Sequence, residues 1–145
     1  MNIEGADKEQ EKIIQEMPPE EEWTERYKYI IRQGDALENI SEDIRSNENK
    51  ISGCQSSVWA RIYNRDGKII INADSDAKIV RGMLSLILRV LNNRGADDII
   101  GTKLYFMEKT GLAKSLSPAR ARGVESVIKY IKKACGEIRT RTDIK

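Results

Sequence analysis

Residues 58–73 read Val-Trp-Ala-Arg-Ile-Tyr-Asn-Arg-Asp-Gly-Lys-Ile-Ile-Ile-Asn-Ala, and this stretch decides the fold class. Residues 58–63 alternate between two sets of side chains with the period of two that is typical of a half-buried β-strand. Residues 64–67 favour a turn, and residues 68–73 form a second β-branched run. The stretch therefore predicts a β-hairpin.

A hairpin alone is marginally stable in water, so another strand or covering helices must bury one of its faces. Residues 50–53 lie directly upstream and are the candidate for a third, edge strand. Between these two segments lies Ser52-Gly53-Cys54-Gln55-Ser56-Ser57, a run of small and polar residues with one thiol. The run predicts a loop at the entrance of the hairpin.

Helical patterns flank the hairpin on both sides. Helices are predicted over 7–16, from Pro19 to about Gln33, from about 76 to between 92 and 95, and onward from Ser117-Pro118. Between the last two, residues 97–110 predict a loop followed by a short helix that carries Leu104, Tyr105 and Met107 and stops at Gly111. One helical turn is expected around 41–45. Asp74 or Ser75 is expected to cap the third helix, with Asp76 in its first turn.

Two of these helices carry clear apolar faces. Trp23, Tyr27, Ile30 and Ile31 fall at i, i+4, i+7 and i+8, and we expect that face in the core. Residues 79–91 are apolar apart from one narrow polar stripe, so this helix should be the most buried element and pack on the sheet. The expected fold class is α+β.

The composition fits one soluble domain over residues 1–145, with 1–18 as a charged N-terminal arm and 139–145 as a flexible tail. The net charge of +2 gives little support for binding nucleic acid or anionic membrane. The longest strongly apolar run, 83–90, is too short to span a bilayer, and the N-terminus lacks the apolar core of a signal peptide. We expect the cytoplasm as the location.

The chain has two cysteines, Cys54 and Cys135, and no histidine. Two cysteines are too few for a four-cysteine zinc site. The lack of histidine excludes the Cys-His and Ser-His pairs that many hydrolases use. Cys135 lies on a helical apolar stripe and is expected to serve packing. Cys54 is either an inert thiol at a turn or a nucleophile; without a local base it would depend on a reactive partner.

Several ordered motifs resemble the SufE family over about residues 20–133. They are Trp23-Thr24-Glu25-Arg26-Tyr27 with Gly34, Gly53-Cys54-Gln55-Ser56-Ser57-Val58-Trp59, Ala73-Asp74-Ser75-Asp76-Ala77-Lys78-Ile79-Val80-Arg81-Gly82, Gly111-Leu112, and Leu116-Ser117-Pro118-Ala119-Arg120. The resemblance implies an α+β fold shared with IscU-type scaffolds, with a three-stranded antiparallel sheet and helices packed on it.

The resemblance also implies a sulfur acceptor of the SufE/CsdE type. Such proteins take persulfide sulfur from a pyridoxal-phosphate cysteine desulfurase (SufS/CsdA-like), stimulate it, and deliver the sulfur to an Fe-S scaffold complex (SufBCD-like). No metal or organic cofactor is expected on the chain itself. The implied site residues are Cys54 as the sulfur carrier, Gly53, Gln55 and Ser56 as loop support, and Arg120 and Asp76 at the partner interface or beside the thiolate.

Asp76 also has a simpler interpretation as a helix-capping residue, and Arg120 as a surface ion-pair partner. Arg122 departs from the uncharged polar residue expected in the family. Two other functions remain open: a metal or cluster scaffold of related fold, for which one loop thiol is few ligands, and an adaptor that binds the desulfurase without carrying sulfur.

Overall fold

The computed structural model describes residues 2–37 and 42–143, without the side chains of Glu42, Thr142 and Asp143. Seven helices and two strands follow one another in these ranges: α1 (Glu4–Glu16), α2 (Trp23–Asp35), β1 (Val58–Arg65), β2 (Lys68–Ser75), α3 (Lys78–Leu91), α4 (Ala96–Gly101), α5 (Phe106–Lys109), α6 (Leu112–Ser115) and α7 (Pro118–Asp143). The α+β prediction is confirmed. Of the helical turn expected at 41–45, Glu42–Ile44 form a 3₁₀ turn and Ser41 lies outside the described residues.

The hairpin is present as the sequence predicts. β1 and β2 pair antiparallel from Val58 opposite Ser75 to Arg65 opposite Lys68. The two residues between the strands, Asp66 and Gly67, have φ angles of 54° and 85°. Two successive positive φ values are typical of the type I′ turn, whose twist matches that of paired strands.

The predicted third strand is wrong, because the described residues form a two-stranded sheet. Pairing upstream of the thiol loop is limited to Lys50 bridging Trp59 and the Ile51 amide donating to the Val58 carbonyl at 2.8 Å. A 3₁₀ turn at Asn47–Asn49 precedes this contact, and a turn at 52–53 follows it. Turns on both sides leave no extended backbone to continue the ladder.

Helix α3 packs on β2 and on α1 and α2, and most of its residues are buried. It is the most buried helix, as predicted. Close contact with α2 depends on small residues, because a Cβ atom on Gly82 would collide with the carbonyl oxygen of Ile30. The two backbones therefore approach each other in the second half of α2.

The apolar face expected on α2 is only partly buried. Ile30 is 1% exposed, but Trp23 and Tyr27 are each 41% exposed. The buried face of α2 instead carries Arg26, Tyr29, Ile30 and Gly34. The prediction that Trp23 and Tyr27 belong to the core is wrong. Both residues lie upstream of Ile30, where the backbones of α2 and α3 approach each other.

Helix α1 packs on the domain, and helix α7 extends to the last described residue. In α1, Ala6 and Ile13 are fully buried, and Arg89 of α3 contacts the carboxylates of Glu9 and Glu16 at 2.7 and 2.9 Å. Where a flexible tail was expected from residue 139, α7 continues to Asp143. Residues 144–145 lie outside the described residues.

A buried carboxylate fixes the segment that leads to the thiol loop. Asp74 of β2 accepts a hydrogen bond from Arg81 Nε at 2.8 Å and pairs with Arg45, which also stacks over the Trp59 ring at 5.3 Å. Asp74 is therefore not a helix cap. Its two arginine partners compensate the cost of burying its charge and join the segment around Arg45 to the hairpin.

Candidate functional site

The loop of residues 52–57 is closed at its base and shaped by one glycine. The Ile51–Val58 hydrogen bond closes the base, and Gly53 has a φ of 88°. A Cβ atom on Gly53 would also collide with the hydroxyl of Ser126 in α7. Gly53 therefore supports the loop in two ways, through a left-handed backbone and through close packing on α7.

Three hydrogen bonds hold the other end of the loop, and all involve Ser57. Its amide donates to Asp76 Oδ1 at 3.1 Å, and its carbonyl accepts from the Ser75 hydroxyl at 2.7 Å and from the Asp76 amide at 3.3 Å. Helix α3 begins at Lys78 after Ala77 and has no side-chain cap. Asp76 and Ser75 therefore anchor the loop, and the interpretation of either as a helix cap is wrong.

The Cys54 thiol points inward from this loop and is half-buried. Its Sγ donates to the carbonyl oxygen of Gly123 in α7 at 3.6 Å. It borders a cavity of about 40 Å³ between the loop, α3 and α7. The apolar side chains that line the cavity are Val58, Val80, Met83, Leu84, Ile87, Ala119, Val124 and Val127.

Burial raises the pKa of the Cys54 thiol above its ordinary value. The apolar wall offers the thiolate no replacement for water, so the neutral form is favoured. In this position the thiol is therefore a weak nucleophile.

Three of the other predicted site residues lie at the same cavity. Gln55, Ser56 and Arg120 line it together with Cys54. Within residues 2–37 and 42–143, the side chains of Gln55 and Ser56 make no hydrogen bond, so the loop is held by Gly53, Ser57, Ser75 and Asp76. Sequence reasoning assigned no role in holding the loop to Ser57, Ser75 or Ser126, because each acts through a contact distant in the chain.

Arg120 lies in the first turn of α7, where its amide donates to the Ser117 hydroxyl at 3.3 Å. Its side chain is exposed, and in the part of the chain that the structure describes it forms no ion pair. The alternative interpretation of Arg120 as a surface ion-pair partner is therefore wrong for these residues. Its charge is available at the mouth of the cavity.

Cys135 occupies a different environment. It is fully buried in α7, and burial raises the pKa of its thiol to about 11. Both cysteines are free thiols. The predicted packing role of Cys135 fits this position.

Comparisons with known proteins identify the family and the fold of this chain. A model of the SufE family, described as an Fe-S metabolism associated domain, matches residues 11–135. The chain belongs to the SufE family. The matched range contains Cys54, Asp76 and Arg120, and the role of this SufE protein is associated with Fe-S metabolism.

The fold of this SufE protein is also similar to that of a hypothetical protein from Thermus thermophilus, solved in solution. The two share 15% sequence identity with a TM-score of 0.75, over 97% of this chain and 99% of the other. At that identity the likeness concerns the fold alone. Across the described ranges of the SufE protein, no helix is long and apolar enough to cross a membrane, and no group of three or more acidic or cysteine residues is arranged to hold a metal ion.

Proposed function

We propose that this chain accepts persulfide sulfur on Cys54 from a pyridoxal-phosphate cysteine desulfurase, stimulates that enzyme, and delivers the sulfur to an Fe-S cluster scaffold. Family membership supports the association with Fe-S metabolism. The observation that carries the proposal is the position of the Cys54 thiol, half-buried on a loop and beside an apolar cavity.

The proposed reaction is a thiol-persulfide exchange. The Cys54 thiolate attacks the outer sulfur of the donor persulfide, a new sulfur-sulfur bond forms on Cys54, and the bond in the donor breaks. The donor cysteine leaves as a thiolate and takes up the proton that Cys54 lost. One sulfane sulfur changes carrier, and the step requires no external oxidant or reductant.

The cavity suits the product of this exchange. About 40 Å³ of space exceeds the roughly 10–15 Å³ that a single water-sized probe requires, so one additional sulfur atom fits beside Sγ. Its apolar walls would keep water and other thiols away from the persulfide. We propose that the loop opens to receive sulfur and closes again over the loaded thiol.

The closed thiol has a raised pKa, so acceptance requires that the donor draw Cys54 out of its apolar surroundings. Once the loop opens, the desolvation that opposes the thiolate is relieved. Arg120 stands at the mouth of the cavity, where its positive charge favours an anionic sulfur. In this proposal Asp76 controls how readily the loop opens, and Arg120 acts toward the partner.

Intact-mass spectrometry after incubation with a cysteine desulfurase and free cysteine tests the proposal. Wild-type protein should gain the mass of one sulfur atom, Cys135→Ser should gain it equally, and Cys54→Ser should gain none. Reductant should remove the added mass. Sulfur retained on Cys54→Ser protein would refute the assignment, and desulfurase stimulation that survives Cys54→Ala would favour the adaptor function instead.

A further inference from the structure

A second, larger depression adjoins the thiol cavity. This aromatic groove has a volume of about 400 Å³, and its walls include Trp23, Tyr27, Leu112, Leu116, Gln55 and Arg120. Trp23 and Tyr27 are the large hydrophobic residues that stand out as exposed among the described residues. Their rings lie side by side on the first turns of α2, with centroids 6.4 Å apart. Paired, half-exposed aromatic rings are typical anchors of protein recognition surfaces.

The aromatic groove is continuous with the thiol site. Gln55, Met83 and Arg120 line both the groove and the cavity beside Cys54. The cavity itself is too small for more than an atom or two, whereas the groove has the size of sites that hold several side chains or a small ligand. A sulfur donor attached to a protein therefore has room to approach Cys54 along the groove.

The charges at the site indicate what kind of donor fits. Arg120 stands where the groove meets the cavity, and within the described chain its guanidinium has no carboxylate partner. The exchange starts from the Cys54 thiolate and ends with the donor cysteine as a thiolate, so the unpaired cation stabilises the anionic sulfur at that end before and after the step. At the other end, the Trp23 and Tyr27 rings fit an apolar side chain.

We propose that the aromatic groove is the docking site for the segment of the desulfurase that carries the persulfide cysteine. An apolar side chain of that segment packs on Trp23 and Tyr27, and the persulfide lies beside Arg120 and within reach of Cys54. This inference rests on the proposed function. It assigns the recognition of the donor to α2, which lies far in sequence from the thiol loop.

Comparing a protein donor with a small donor tests the inference. The variant Trp23→Ser/Tyr27→Ser should need at least about tenfold more acceptor for half-maximal sulfur transfer from a purified cysteine desulfurase with free cysteine, which is about 1.4 kcal/mol. Its rate of persulfide formation from sodium tetrasulfide should stay within about twofold of wild type, because that donor needs no groove. Tyr27→Phe, which keeps the ring, should behave as wild type.

Lys28→Ser is the matched control, since Lys28 is exposed on the same helix and does not line the groove. If the double variant needs no more acceptor than wild type for half-maximal transfer, the groove is not the docking site, and the proposed function is unaffected. Equal slowing with both donors would mean that the rings support the Cys54 site, and would also overturn it. Wild-type protein that accepts sulfur from neither donor would refute the proposed function itself.

A second copy of the chain is the other candidate occupant, and sedimentation of the wild type and of Trp23→Ser/Tyr27→Ser distinguishes it. The proposal expects the same sedimentation for both proteins at the concentrations of the transfer assay. Self-association of the wild type that is lost in the variant would overturn the proposal and assign the groove to a homodimer.

Discussion

Cys54 and Cys135 are both associated with α7, and burial raises the pKa of both thiols. Cys135 is part of the helix, and its side chain is fully enclosed by the core. Cys54 lies against the second turn of the same helix from outside, on a loop held by hydrogen bonds to Ser57 and by the contact of Gly53 with Ser126. Exposing Cys135 requires unfolding the core, whereas exposing Cys54 requires only loop opening.

Two buried thiols can therefore differ in how easily they become accessible to a reagent or a partner. What matters is the free energy needed to remove the cover, which ranges from near zero for a loop to the full unfolding free energy for a core helix. The following experiments test this difference, in order of decreasing expected effect.

The largest effect concerns alkylation of the native protein. Cys54 should react with iodoacetamide at least about 100-fold faster than Cys135, because Cys135 becomes accessible only when roughly 5–15 kcal/mol of folding free energy is overcome. Peptide mapping by mass spectrometry measures both rates in one sample. Comparable rates at the two sites would contradict the comparison.

The same assay reports the protonation of Cys54. Since burial raises the pKa of this thiol, its thiolate fraction at neutral pH is below that of a free cysteine. The alkylation rate should rise about tenfold per pH unit and level off only above the ordinary thiol pKa of about 8.5. A plateau reached below that pH would mean that a charge such as Arg120 already stabilises the thiolate in the closed loop.

Gly53→Ala should open the loop. A left-handed φ and the collision with Ser126 together should cost about 2 kcal/mol, which raises Cys54 alkylation by up to about 30-fold. Gly67→Ala is the matched control, because Gly67 has a φ of 85° but open space around it. It should strain the hairpin turn and leave Cys54 alkylation unchanged. If the two variants raise Cys54 alkylation equally, the contact of Gly53 with Ser126 does not hold the loop closed.

Replacing each thiol by a hydroxyl should separate the two sites by stability. Cys135→Ser places a polar group in the core and should lower the free energy of unfolding by about 1.5 kcal/mol. Cys54→Ser should lower it by less, because that side chain is half-buried and the hydroxyl can still donate to Gly123. Urea denaturation of the two variants measures the difference in the free energy of unfolding. A larger decrease for Cys54→Ser than for Cys135→Ser would contradict the placement of Cys135 in the core and of Cys54 on the loop.

The smallest expected effect is that of Asp76→Ala. Loss of its hydrogen bond to the Ser57 amide should cost about 1 kcal/mol and raise Cys54 alkylation roughly fivefold. Glu108→Ala removes the same charge from an exposed position on α5 and should change nothing. If Asp76→Ala alkylates Cys54 at the wild-type rate, the carboxylate does not control the loop.

Sequence patterns predicted most elements because their causes are local. The hairpin follows from residues 58–73 and their two-residue turn, and α7 begins at Pro118 directly after the predicted Ser117 cap. The third strand failed, because backbone turns at Asn47–Asn49 and 52–53 outweighed the short extended segment between them. The exposure of Trp23 and Tyr27 was missed, because periodicity predicts the apolar face of a helix but not how much of that face the neighbouring elements cover.

The sequence by itself determined the family motifs, the α+β class and the choice of Cys54 over Cys135 as the loop thiol. Only the tertiary structure decided how that thiol is sheltered. Its contact with Gly123 spans 69 residues, and the loop depends on Ser126 on one side and Asp76 on the other. Contacts of this kind depend on how α3, α7 and the hairpin pack together, and no local propensity encodes that packing. The local sequence of residues 52–57 thus specifies a turn, whereas the tertiary packing determines that this loop shelters the Cys54 thiol.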